Sequence, residues 1–485
     1  MRVNAFIATA LWGCGLCAAH GQDAEQSTAQ ARADLEALTT KDLSQYQTPL
    51  TQFPWNLTDG IERARIGSAL FSPPRFITLF EPREIPVKLH LGAPQAGAYG
   101  FSPDAPLFAD PLDFPLRPAR NLEQFLYEGL SSSTNIFYTL LLQGLSRTAD
   151  DPSGDPYQKW SGTGRIDVNL QTVFAKSHGL GTSMLQVLFR EGVVIGAPGS
   201  YTSGAAAGTF FNANALSMGD TASLKTIFLE QGFLDDRFAV SVGKLSVNNY
   251  FMVNYFADDE SSQFLNGSLD GNDVFAAGFN NHFPGVLLQG IPCDDIYVNF
   301  GVFDIGSDSA SSIEFLQDGL YFAVLEVGYT PKGDADITRY SATVAVTNQG
   351  RDWEMTGEKQ SNLMLGLMAQ RRLNNNLAPF FEWAIGSNEN ISASMELSLG
   401  VGIFSPLGRS DDYAGIAASW AQPTTPYGDL PPSLDPPSTQ VLEAFYRVQL
   451  TDSMQLSPDL QVFLNPQNGD DSPVVAFSLR LKTQF

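Results

Sequence analysis

The feature that most constrains this chain is a two-residue alternation of apolar and polar side chains, clearest at its end. In Pro473 to Phe485, Val475, Phe477, Leu479 and Leu481 share one face, and Ala476, Ser478, Arg480, Lys482 and Gln484 share the other. Successive side chains of a strand point to opposite faces, so this is a strand with one apolar and one wet side. Termini usually fray. An ordered strand running to a final Phe485 is expected where a sheet closes on its last strand, because an open edge cannot face lipid. After the N-terminus no apolar run reaches the ~18 residues that a membrane-crossing helix needs. Any crossing of lipid therefore falls to strands.

The same rhythm recurs upstream. Ile166, Val168, Leu170 and Phe174 oppose Arg165, Asp167, Asn169 and Gln171. Over 391–403, Ile391, Ala393, Met395, Leu397, Leu399, Val401 and Ile403 oppose Ser392, Ser394, Glu396, Ser398, Gly400 and Gly402. A run of that length spans a bilayer core at a barrel's tilt. The pattern predicts strands near 134–147, 160–175, 182–195, 223–234, 237–249, 283–290, 295–304, 319–329, 338–349, 362–373, 377–387, 391–404, 411–421, 439–451, 454–464 and 473–485. Their connections sort by length. Those at 176–181, 235–236, 291–294, 330–337, 374–376, 405–410 and 452–453 are short, and several carry Asn, Asp or Gly. Those at 148–159, 196–222, 250–282, 305–318, 350–361 and 422–438 are mostly long, with 388–390 the short exception. Short turns on one rim and long loops on the other are the outer-membrane pattern. The expected fold is all-β: a transmembrane antiparallel β-barrel of about sixteen strands, with an irregular or helical N-terminal segment.

Residues 1–21 read as an export signal, with Arg2, an apolar Ala5 to Cys17, and Ala19-His20-Gly21 before a cut at Gln22. Residues 22–121 read as a periplasmic or plug-like segment: a polar helical stretch to about 40, then a proline density that forbids regular sheet. The barrel domain takes 122–485. Cys14 and Cys17 fall within the signal, which leaves Cys293 alone and predicts no intrachain disulfide. The formal net charge of −24 excludes nucleic acid as a partner and suits a pore for cations or neutral polar solutes.

With lipid outside, the wet faces line the lumen. The pore-lining candidates are Arg165, Asp167, Glu230, Glu382, Glu396, Glu443, Arg447, Asp459, Arg480 and Lys482. Mixed charges in a narrow pore hydrogen-bond solute hydroxyls and set ion preference. The bland alternative is that they pair across strands. The 250–282 loop is acidic at Asp258, Asp259, Glu260, Asp270 and Asp273, and rich in aromatics at Tyr250, Phe251, Tyr255, Phe256, Phe264, Phe275 and Phe279. These residues are constriction candidates if the loop folds inward, and a solvated surface or subunit contact if it does not. Asp270-Gly271-Asn272-Asp273 lacks EF-hand spacing, and no metal or cofactor is expected. No HExxH, GxSxG, CxxC or phosphate-loop motif stands in a fitting context, so no enzyme is expected.

Phe228 to Arg237, followed by Val242-Gly243-Lys244-Leu245, resembles a hairpin of the carbohydrate-selective porins of the OprB family. The tail is similar too: Glu443 to Thr451, Leu456 to Val462, Asn465-Pro466 and the closing strand, with Val302-Phe303-Asp304 as a strand end. The resemblance covers roughly 130–485. It implies a sixteen-stranded barrel in the bacterial outer membrane, often a homotrimer, contacting lipid and passing sugars, small polar solutes and ions by diffusion. Two other readings share the alternation: an exported soluble β-rich binding or structural protein, and a barrel enzyme using His178 or His282.

Overall fold

The computed structural model describes residues 132–484 apart from 150–156, 178–180, 196–202, 210, 218–220, 235–236, 280–281, 294, 307–318, 332–337, 351–358, 375, 388–391, 410, 425–437, 452 and 467–471. The expected signal at 1–21, the 22–121 segment, His178 and Phe485 lie outside the described residues.

Sixteen strands form a single closed antiparallel barrel in which each strand pairs with its neighbours in sequence. They are β1 (Ser132–Leu145), β2 (Trp160–Ser177), β3 (Gly181–Ile195), β4 (Ala222–Phe233), β5 (Phe238–Ser246), β6 (His282–Cys293), β7 (Ile296–Asp304), β8 (Tyr321–Tyr329), β9 (Arg339–Gln349), β10 (Lys359–Gln370), β11 (Leu377–Gly386), β12 (Ala393–Phe404), β13 (Tyr413–Pro423), β14 (Thr439–Gln449), β15 (Met454–Leu464) and β16 (Val474–Gln484). β16 closes the sheet on β1, from Phe137 opposite Gln484 to Leu145 opposite Ala476. Closure removes every edge, which is what lipid demands.

The alternation sets the faces. In β16, Ala476, Ser478, Arg480 and Lys482 are buried inside, while Phe477 and Leu479 are exposed outside. Leu229, Val242, Val286, Phe300, Leu363, Leu365, Leu367, Leu399, Ile416, Leu442 and Leu460 are likewise exposed. A contiguous apolar exterior of this kind needs lipid around it. Tyr329 stacks on Tyr340 with ring centroids 6.4 Å apart at the short-turn rim, where an aromatic belt is expected.

Two expectations are corrected. The 391–403 alternation is not continuous: the ladder slips between Ala393 and Met395, so Ala393 turns inward with Glu396 instead of outward. One extra residue in a strand moves the residues before it to the opposite face. Cys293 is disulfide-bonded rather than alone, and its partner lies outside the described residues.

Candidate functional site: a lumen narrowed by an inward-folded loop

The β5–β6 connection turns into the barrel instead of outward. Tyr250, Phe251, Val253, Tyr255, Phe256, Phe264, Leu265, Leu269, Val274 and Phe275 are all buried. Local chemistry folds it. The side-chain oxygens of Asn254, Asp259, Asn266 and Asn272 each accept the backbone N–H two residues on, at 3.0 to 3.2 Å. Such Asx turns fold a chain tightly without sheet or helix. Aromatics then seat the loop on one side of the wall. Phe264 stands edge-on to Phe445 and Phe380, at 4.9 and 6.0 Å between centroids. Phe256 meets Phe404 at 6.0 Å, and Phe251 meets Phe303 at 6.5 Å. Gly366 and Gly415 make room: a Cβ on Gly366 would strike Met252, and one on Gly415 would stand 2.7 Å from Phe264.

Wall carboxylates hold the loop backbone. Glu326 accepts Met252 N–H at 2.6 Å. Glu396 accepts Asp273 N–H at 2.6 Å, and Glu382 accepts the Asn254 amide at 2.6 Å. Glu443 takes the N–H groups of both Leu265 and Asn266. Wall cations hold the opposite polarity. Arg480 donates to the carbonyls of Glu260 and Gln263 at 2.6 and 2.7 Å. Lys482 donates to Ser261 Oγ at 2.7 Å and lies 3.8 Å from Asp259. Arg165 ties Asp167, at 2.8 Å on its own strand, to Glu260 of the loop. Hydrogen bonds with one charged member contribute about 1.5–3 kcal/mol each, roughly twice a neutral one.

The ten wall candidates thus take distinct places. Glu382, Glu396, Glu443, Arg165, Arg480 and Lys482 bond the loop directly. Asp167 stands behind Arg165 and also pairs with Arg190. Glu230 accepts Ser241 Oγ at 2.8 Å, between β4 and β5. Asp459 accepts the Gln461 amide at 3.3 Å on its own strand. Arg447 lies under the Tyr413 ring, 5.2 Å from its centroid.

The loop packs against β7–β16 and reaches Arg165 of β2 through Glu260, and space remains on the β2–β6 side. This cavity of about 380 Å³ is lined from the wall by Arg165, Gln186, Arg190, Thr226, Ser246 and His282. From the loop it is lined by Asp258, Asp259, Glu260, Asp270 and Asp273. All five acidic loop candidates therefore converge on one space. Their charges differ. Burial pushes the Asp273 carboxyl up to about 7. Burial, reinforced by Glu382, pushes Asp258 well up, and burial with the Glu260, Asp258 and Asp259 charges does the same to Asp270. Burial acts upward on Asp259 and Glu260 as well, but nearby cations outweigh it: Lys482 holds Asp259 down, and Arg165 and Arg190 hold Glu260 down. Across the gap the wall is cationic, with Arg165, Arg190, Lys225 and Lys244 grouped on β2–β5.

Sequence reasoning missed Glu326, Arg339 and Arg190. Glu326 and Arg339 form a fully buried ion pair that Tyr297 and Thr343 complete. In β8 both faces are apolar, so the alternation hides which way Glu326 points. A lone carboxylate in an otherwise apolar strand was the available signal, because only the interior can hold it. His282 faces Ser246 across the β5–β6 pair, but Ser246 donates to Asn248 at 2.6 Å.

A family model described as carbohydrate-selective porin, OprB family, matches residues 163–485. The chain belongs to this family. Among solved structures it is similar to OprB of Pseudomonas putida at high pH, with 14% identity and a TM-score of 0.60 over 76% of this chain and 97% of that one. It is also similar to OccK11 (OpdR) of Pseudomonas aeruginosa, with 12% identity and a TM-score of 0.41 over 73% and 96% of the two chains. No curated protein matches it. This OprB-family barrel is therefore an outer-membrane porin, and fold and family point to a channel rather than an enzyme.

Proposed function

We propose that this porin passes small carbohydrates and comparable polar solutes by passive diffusion across the bacterial outer membrane. The observation that carries the reading is the polar cavity left between the inward-folded loop and the β2–β6 wall. Its volume suits one solute of sugar size. A solute there meets cations on one side and carboxyl groups on the other. Hydroxyl groups donate and accept, so both sides bond them without binding so tightly that exit stops. In this reading the ten wall residues divide: most set the loop's position, while Arg165 also meets the solute. The acidic loop residues set the ion preference. Lipid contacts the outer face, and assembly as a homotrimer belongs to the same proposal.

Planar-bilayer recording of the full chain tests this. Stepwise conductance that falls as a permeating sugar is added, together with liposome swelling graded by sugar size, is the expected result. A channel without conductance steps, or swelling indifferent to sugar, would reject it.

A further inference from the structure

We infer that Arg447, with Ser457 and Arg480, forms a buried site for a small inorganic anion of the halide class, at the short-turn end of the lumen.

Arg447 is 1% exposed, and among the described residues its Nε, Nη1 and Nη2 all lack a hydrogen-bond partner. The Tyr413 ring lies 5.2 Å from its Cζ. That ring covers a face of the guanidinium. The donors lie in the plane, so they remain directed at whatever stands beside the edge. A buried cation without an anion is very costly, and proteins pair such groups or bind ions to them.

The carboxylates whose charge reaches Arg447 are committed elsewhere. Asp412 takes Arg409 and the Tyr446 hydroxyl at 2.7 Å each, and Gln449 N–H at 3.0 Å. Asp259 takes Ser261 N–H at 3.0 Å and the hydroxyls of Ser261 and Ser262, and faces Lys482. Glu443, whose charge reaches Arg480, holds two loop amides, and Asp459 accepts the Gln461 amide at 3.3 Å.

The neighbours on the other side add positive charge. On β15, next to β14, Ser457 pairs in register with Arg480 of β16. Adjacent strands lie about 4.8 Å apart, so the two arginines flank Ser457 from either side. Arg480 uses Nη1 and Nη2 on the loop carbonyls, and its Nε has no partner among the described residues. Four N–H-bearing nitrogens without a partner among the described residues and a buried hydroxyl therefore lie on the adjoining strands β14 to β16, where Asp459 is the neighbouring carboxylate that keeps an unpartnered oxygen. An anion there must shed its water, which favours a halide over sulfate or phosphate. Bound, it would neutralise the wall behind the loop segment that Arg480 and Lys482 hold.

The inference stands apart from conduction, and two readouts test it on the full chain in detergent. Crystals grown in bromide are expected to show an anomalous peak within hydrogen-bonding distance of the Arg447 guanidinium. The unfolding midpoint is expected to rise when chloride replaces gluconate at equal ionic strength, and Arg447→Met is expected to lose that rise. An equal chloride response in both proteins overturns the inference. So does the absence of the bromide peak, ordered water alone at the site, or a carboxylate of residues 1–131 seated there. The bromide readout needs no variant, so a misfolded Arg447→Met leaves the inference falsifiable.

Discussion

Replacing Glu326 by Leu tests whether wall charges hold the loop. Glu326 is fully buried on β8 and accepts Met252 N–H, Tyr297 OH at 2.8 Å, Thr343 OH at 2.7 Å and the Arg339 guanidinium. Met252 opens the loop and sits at φ +51°, a left-handed conformation that a non-glycine residue holds only when its surroundings impose it. Removing one member of a buried ion pair costs about 3–5 kcal/mol, because the other charge stays behind in low dielectric. The orphaned Met252 N–H adds about 1–3 kcal/mol. Glu326→Leu is therefore expected to lower the stability of the refolded protein by roughly 4–8 kcal/mol, by adding those two terms. It is also expected to add fluctuations to the open-channel current as the loop entry loosens. Glu326→Leu with Arg339→Met removes both charges. The double variant is expected to recover the ion-pair part and keep only the cost of the orphaned hydrogen-bonding groups. The cycle reads a coupling of a few kcal/mol between the two sites. Unfolding in denaturant, followed by heat-modified gel mobility, measures stability. Additive losses, or a quiet channel in Glu326→Leu, would refute the idea that this pair anchors the loop.

Three further outcomes follow from the same geometry. Raising the pH from about 5 to about 9 ionises Asp273 near 7, so the reversal potential in a KCl gradient should move toward cations, and Asp273→Asn should remove the part centred there. The folded protein binds more protons than the unfolded chain between the ordinary carboxylate range and 7, so stability from this group falls as pH rises through that window. Phe477→Arg, on the exposed face of β16, should cost about 2–4 kcal/mol if that face meets the bilayer midplane, whereas Ser478→Ala beside it should cost far less. Gly366→Val should push Met252 and Phe275 off the wall and change conductance while the strands still form.

The strands are legible because lipid on one side and polar groups on the other impose a strict two-residue period. The sorting of connections into short and long survives in the structure for the same reason. β8 and β12 show where the signal fails. In β8 the inward face carries Phe322 and Val324 because aromatic loop residues, not water, lie against it. In β12 a bulge at Ser394 breaks the period over two residues, too short for the pattern to reveal. The loop's acidic and aromatic content is plain in the sequence, but its direction is not. That direction depends on partners far away in the chain, such as Glu443 for Leu265 and Arg480 for Gln263.

Those distant partners explain why the loop lies where it does. Carboxylates on β8, β11, β12 and β14 face loop N–H groups, and cations on β2 and β16 face loop carbonyls and carboxylates. Swapping the two sets would set carboxylates against loop carbonyls, which have no proton to offer. The loop therefore fits in one orientation, with its acidic edge toward the β2–β6 wall. The passage and its transverse field arise together from that choice. A variant that loosens the anchors should alter ion preference as well as conductance, and a change in one without the other would show that the loop is not what sets the field.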